Sequence, residues 1–90
     1  MTEHQLKTWP GLFDGLVDGT KTAEVRINDR HFHVGDVLVL REYDPRACSY
    51  TGREERRVIS RVDDLRPITG ALRWVLLSFS KPDRPEQGGG

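Results

Sequence analysis

Lys21, Glu24 and Arg26 fall within six residues of one another, in the run Gly19-Thr20-Lys21-Thr22-Ala23-Glu24-Val25-Arg26. A lysine and a glutamate side by side in a dry cleft can exchange a proton. An arginine adds a planar fork of donors suited to phosphates and base edges. From 22 to 27 the apolar residues Ala23, Val25 and Ile27 alternate with Thr22, Glu24 and Arg26. That is the period of a strand, so Glu24 and Arg26 share one face and the hydrophobic set takes the other. Two arrangements follow. The pair stands on the outer face as an exposed ion pair, a contact that contributes about 0–1 kcal/mol, or it lines a cleft and marks a site.

Other reactive residue types give weaker patterns. His31 and His33 share a strand face, but no cysteine or carboxylate stands at a zinc-like spacing from them, and a two-histidine site lacks a third ligand. No metal site and no cofactor are expected. Cys48 is the single cysteine, so an internal disulfide is excluded. It sits in the polar turn Asp44–Gly52 with no neighbouring base to activate a thiolate.

The elements that must position these residues can be read in order. His4–Thr8 is a short strand with Leu6 inward. Trp9-Pro10 opens a helix, since proline is favoured at the first helical position. Leu12, Phe13, Leu16 and Val17 form its apolar face, Trp9 staples it to the rest, and Gly19 is a C-cap glycine. The strand 22–27 ends at the Asn28-Asp29 turn, and His31–Val34 is a short extended piece. In Asp36–Tyr43 the unbroken run Val37-Leu38-Val39-Leu40 predicts a strand buried on both faces. A hairpin loop spans 44–52. Arg53–Asp63 is a charged return arm anchored by Val58, Ile59 and Val62. Pro67 and Gly70 mark a loop. Leu72–Ser80 is the last strand, with Val75, Leu77 and Phe79 on one face and Trp74 and Leu76 on the other. Residues 81–90, rich in Pro, Gly and charge, read as a disordered tail, and the closing Gly88-Gly89-Gly90 resembles a linker remnant. Residues 1–80 therefore form one mainly β (α+β) domain: five to six short strands and one N-terminal helix, closing into a small antiparallel barrel.

Composition adds bounds. Ninety residues make one small domain. The formal net charge is zero, which removes any global electrostatic case for nucleic acid or membrane. The first 45 residues carry five Lys/Arg against eight Asp/Glu, and the last 45 carry nine against six. Eleven of the fourteen cations are arginine, a bias that suits phosphate contacts but that a GC-rich genome also produces. No leader or membrane-spanning run is read in the sequence, and a cytoplasmic location is expected.

The pattern Gly19-x-Lys21-x-x-Glu24-x-Arg26 resembles the GxKxxExR signature of the ASCH domain, a branch of the PUA-like superfamily. His4-x-Leu6-Lys7-Thr8-Trp9-Pro10, Val34-Gly35-Asp36-Val37-Leu38 and Leu40-Arg41-Glu42-Tyr43-Asp44 extend the likeness over roughly residues 3–80, to small proteins of bacteria and phages. The resemblance implies a PUA-like barrel with a cleft beside the helix, lined by the signature residues, and relatives in the wider superfamily bind RNA or flipped and modified bases. On that basis Glu24 would accept from an exocyclic amine. Lys21 and Arg26 would hold a phosphate or a base oxygen, and Trp9 would supply a stacking wall. Lys7 and His4 enter as neighbours through the resemblance alone, and the basic arm Arg53–Arg61 would track a backbone. The related acetylcytidine amidohydrolases use a lysine, a threonine and a glutamate. Lys21 matches the lysine, but Glu24 stands where their threonine is, and the chain has no room for the helical insertion that carries their glutamate. The expected function is therefore binding of RNA or a nucleotide. The alternatives are a hydrolase of a modified nucleoside or RNA, using Lys21 and Glu24, and a non-catalytic module, phage-derived in origin, that binds another protein.

Overall fold

The computed structural model describes residues 2–70 and 73–82. Leu72, at the expected start of the last strand, and positions 83–90 of the expected tail lie outside the described residues. The elements run β1 (Glu3–Thr8), α1 (Pro10–Asp18), β2 (Ala23–Ile27), β3 (Val37–Asp44), β4 (Ser49–Asp64), α2 (Arg66–Thr69) and β5 (Trp74–Ser80). The protein is mainly β: one sheet of five strands, in the order β1-β3-β4-β5-β2, curled into a half-barrel with α1 packed against it. No helix among the described residues is long and apolar enough to cross a membrane.

Each strand follows from its pattern. β1 alternates, with His4, Leu6 and Thr8 buried between exposed Glu3, Gln5 and Lys7. β5 buries Val75, Leu77 and Phe79, the face read from alternation. In β3 the residues Leu38, Val39 and Leu40 are all buried, so both faces of the strand are covered there. Leu38 and Leu40 join Leu6, Phe13, Leu16, Phe32, Ile59, Val75, Leu77 and Phe79 in the core, whereas Val39 is buried on the opposite face. Full burial of a leucine of this kind contributes about 1.5–3 kcal/mol. Register shifts between Arg41 and Tyr43 in β3 and between Ile59 and Arg61 in β4 mark bulges. Such irregularities bend a strand and raise its twist, which is what a sheet needs in order to curl.

Helix α1 begins at Pro10 and stops where Gly19 adopts a left-handed φ of 84°, a conformation that glycine reaches without a Cβ clash. Only Phe13 and Leu16 of its apolar face are buried, while Leu12 and Val17 stay about half exposed. A Cβ on Gly15 would come within 3.0 Å of the Lys21 Cβ. The glycine lets the chain after the helix fold back tightly, and the Lys21 N–H reaches the Gly15 carbonyl at 2.9 Å.

Five expectations need correction. The loop expected over 44–52 is shorter, since β3 runs to Asp44 and β4 starts at Ser49, with Tyr43 opposite Tyr50. The β1–β3 pair is parallel, with Glu3 opposite Val37 and Thr8 opposite Glu42. The connection between them passes through α1 and β2, long enough for a parallel crossover. His31–Val34 is not a strand: His31 takes a φ of 51°, and the segment packs as a loop with Phe32 in the core. Pro67 sits inside the short helix α2 rather than in a loop. Trp9 does not staple the helix, since its side chain is 60 % exposed.

The turn into β3 is held by a buried carboxylate. Asp36 accepts from the His4 ring at 2.8 Å, from the His33 N–H at 3.1 Å and from the Thr2 N–H at 3.2 Å. Burial by itself would push the Asp36 carboxyl up, but the His4 ring and the two backbone donors outweigh it and hold the group below its ordinary value of 3.8. A carboxyl depressed in the folded state contributes stability that is complete above the unfolded value and is lost as pH falls through the folded one. The urea midpoint should therefore fall as pH drops below about 4, and Asp36→Asn should flatten that part of the profile. An acid limb as steep in Asp36→Asn as in the wild type would exclude Asp36 as a source.

Candidate functional site

β1 and β2 are the two edges of the half-barrel, and they face each other across an open seam. No backbone ladder joins them. Two arginines do. The Arg26 guanidinium leaves β2 and donates Nη2 to the Lys7 carbonyl of β1 at 2.7 Å, and Arg30, just after β2, donates Nη1 to the Gln5 carbonyl at 3.1 Å. Carbonyls on a free strand edge are otherwise left to water, so the arginines satisfy that edge while keeping the strands apart.

The separation leaves a cavity of about 460 Å³. Its polar wall holds Thr8, Glu24 and Arg26, and its apolar wall includes Trp9, Leu12, Phe32 and Trp74. Alternation in β2 is as the sequence predicts, but the faces are exchanged relative to an outward ion pair. Glu24 is buried at 8 % exposure, whereas Val25 and Ile27 are each 51 % exposed. The polar face of β2 looks into the half-barrel, on the side of the sheet where Leu77 and Val75 pair with Glu24 and Arg26.

Glu24 Oε2 accepts from Arg26 Nε, and Lys21 Nζ approaches Glu24 Oε1 at 3.7 Å. That separation is too long for a hydrogen bond, so Glu24 Oε1 is buried with no hydrogen-bond partner. The Thr8 hydroxyl, in a residue only 2 % exposed, is likewise buried and unpartnered. Most buried polar atoms in folded proteins find a partner, and those that do not call for an explanation. Here both atoms belong to residues that line the same cavity.

The six residues singled out from the sequence separate into two groups. Lys7, Trp9, Glu24 and Arg26 line the cavity. Lys21 stands outside the lining, its ammonium donating to the Ala23 carbonyl at 2.9 Å and lying 3.7 Å from Glu24 Oε1. His4 is also outside it, buried between Asp36 and the Phe32 ring, with ring centroids 4.8 Å apart. It props a wall of the cavity rather than facing it. Lys7 lies over the Tyr43 ring at 4.3 Å, a cation–π contact. Thr8, Phe32, Arg30 and Trp74 went unremarked as site residues. The inward period of β1 pointed to Thr8, and the unburied face of β5 pointed to Trp74. Nothing local pointed to Phe32 or Arg30. The arm Arg53–Arg61 is not a free basic track: Arg53 pairs with Glu42, Arg56 with Glu3, Arg57 with Glu55 and Arg61 with Asp63. Glu42 is held below the ordinary carboxylate range by the Arg53 guanidinium and then by the Thr51 hydroxyl.

Fold and site together define a class: a curled five-stranded half-barrel whose arginine-bridged seam holds an aromatic-walled cavity with unpaired acceptors. Residues 3–79 match the family described as a domain of unknown function (DUF3850), and the chain belongs to that family. It is also similar to an uncharacterized 12.9 kDa protein in the GpA 3′ region of Escherichia phage P2, with 37 % identity over 62 residues. The match takes in 69 % of this chain and 55 % of the phage protein, so the chain spans about half the length of that relative.

Proposed function

We propose that this protein binds RNA or a nucleotide by taking a base into the cavity between β1 and β2. The observation that carries the reading is a cavity in which Thr8, Glu24 and Arg26 stand among apolar and aromatic side chains, with Thr8 and Glu24 each holding a buried polar atom that has no hydrogen-bond partner. A cavity of about 460 Å³ is of ordinary size for a small ligand, and such sites combine apolar walls with a few placed polar groups. Amines and ring N–H groups of a base would donate to the Glu24 carboxylate. Trp9 and Trp74 offer flat apolar surface for the ring, the combination used to hold an extruded base. The GxKxxExR likeness to ASCH and PUA-like proteins supports the same ligand class. Cytoplasmic action accords with it. Binding is preferred over hydrolysis by a Lys21–Glu24 pair because Lys21 does not line the cavity.

Both tryptophans of the chain line the cavity, so their fluorescence should report occupancy. Titration with the four ribonucleosides, a panel of modified nucleosides and single-stranded RNA at low salt should quench it. Glu24→Gln removes a charge-assisted bond worth about 1.5–3 kcal/mol, a loss of tenfold or more in affinity. Thr8→Val, which keeps the shape, should cost less. RNA affinity should fall as salt rises, since phosphate contacts release counterions. Absence of binding to every nucleoside and RNA at low salt rules the reading out, and so does equal affinity of wild type, Glu24→Gln and Thr8→Val.

A further inference from the structure

A second cleft, of about 240 Å³, adjoins the first. It is lined by Asn28, Val62, Asp64, Arg66, Arg73, Trp74 and Val75, and Trp74 is a wall of both. Its position is fixed by the β2–β5 ladder, where Ile27 pairs with Trp74, and by the Asn28 N–H, which donates to the Arg73 carbonyl at 2.8 Å. The Trp74 side chain is thus shared between the first cavity and the cleft that Arg73 lines.

The cations around the two clefts are almost all engaged. Arg26 holds Glu24 and the Lys7 carbonyl. Arg30 holds the Gln5 carbonyl and lies 3.9 Å from Asp29. Arg66 is paired with Asp64 at 2.6 Å, and Lys7 lies on Tyr43. Arg73 is the exception among the arginines: in this exposed residue the guanidinium has no ion-pair or hydrogen-bond partner among the described residues. The one carboxylate in the second cleft, Asp64, already faces Arg66, which holds its carboxyl below the ordinary value. Two arginines thus stand against one aspartate, and among the described residues the charge left without a partner is that of Arg73.

We propose that the second cleft is a phosphate subsite in which Arg73 binds the phosphodiester attached to the base held in the first cavity. The ligand is then a nucleotide within a single strand, not a free base. The proposal rests on the base-binding reading above and assigns its phosphate. A guanidinium presents two parallel N–H donors to phosphate oxygens, and one that is not already paired loses no intramolecular bond when it does so. Both guanidiniums of the first cavity are already committed, Arg26 to Glu24 and the Lys7 carbonyl and Arg30 to the Gln5 carbonyl, and its remaining cation, Lys7, lies on the Tyr43 ring and carries no planar fork.

The test compares ribonucleosides, their 3′- and 5′-monophosphates and trinucleotides, titrated against wild type, Arg73→Ala and Glu24→Gln by tryptophan fluorescence at several salt concentrations. Arg73→Ala should weaken a monophosphate and a trinucleotide about five- to tenfold, leave nucleoside affinity unchanged, and reduce the salt slope by about one. Equal loss for nucleosides and nucleotides would make Arg73 a merely structural residue and overturn the assignment. No loss for any ligand would overturn it as well, with the cavity reading left standing if Glu24→Gln still weakens nucleosides. Binding of trinucleotides that depends on Arg73 but not on Glu24 would keep the phosphate subsite and remove the base cavity.

Discussion

Arg57→Ala should destabilise the protein by about 2–4 kcal/mol, from the loss of charge-assisted hydrogen bonds and of buried packing. The Arg57 residue is 4 % exposed and reaches across from β4 to helix α1. Its Nη2 donates to the Leu16 carbonyl at 2.6 Å, and its Nη1 donates to the Arg56 carbonyl at 2.8 Å and to Glu55 at 2.9 Å. Leu16 lies in the last turn of α1, where carbonyls have no partner within the helix. A cation there also meets the negative end of the helix dipole. Truncation leaves the Leu16 carbonyl buried and unpaired and opens a void beside the core. In a domain this small the loss is a large share of total stability, and the thermal midpoint should drop by about 10–20 °C. Arg57→Met separates the contributions by restoring volume without donors. An unfolding free energy from urea titration for Arg57→Ala within about 0.5 kcal/mol of wild type, the range of ordinary surface changes, would show that the helix end is satisfied some other way.

Arg26→Ala should cost less globally, about 1.5–3 kcal/mol for two charge-assisted hydrogen bonds of a partly buried group, but it should act in one place. The side chain is 27 % exposed and joins Glu24 of β2 to the Lys7 carbonyl of β1. Without it the two free edges lose their main connection, leaving Arg30 as the remaining bridge. Hydrogen exchange should accelerate in Glu3–Thr8 and Ala23–Ile27 before it does so in the central strands β3 to β5, since local opening draws on regions with few shared contacts. Arg26→Lys should restore little, because a point charge on a flexible stem cannot serve the carboxylate and the carbonyl with one planar fork. Uniform acceleration over the whole sheet, or none, would show that the seam does not depend on this residue. The same substitution removes the group that holds Glu24 in place, so base affinity should fall with it.

The acidic and basic residues gave uneven signals. Glu24 and Arg26 were legible as a pair because strand periodicity places them on one face whatever lies beneath. Which face that is was not legible. An amphipathic strand normally turns its apolar side to the core, and β2 does the reverse, exposing Val25 and Ile27. β2 is the last strand in the order β1-β3-β4-β5-β2, and its polar side, paired along β5 with Leu77 and Val75, looks into the half-barrel. Arg53, Arg56, Arg57 and Arg61 read as a basic run, yet each has a carboxylate, three of them from the same hairpin arm or its neighbouring strand. Spacing could not show that Arg57 is buried, because the acceptor it serves, the Leu16 carbonyl, lies 41 residues away in the chain.

Local chemistry alone determined the boundaries of α1, from Pro10 at its start to the left-handed Gly19 at its end, and the inward set of β5. It also determined the burial of Leu38, Val39 and Leu40, since periodicity and backbone geometry act over a few residues. The tertiary structure decided the parallel β1–β3 pairing, the open seam and the cavity within it. It also decided that Lys21 supports Glu24 from outside while Thr8, Phe32 and Trp74 face in. Each of these depends on which distant strands become neighbours. That choice is made by burying one shared core, and no window of sequence contains it.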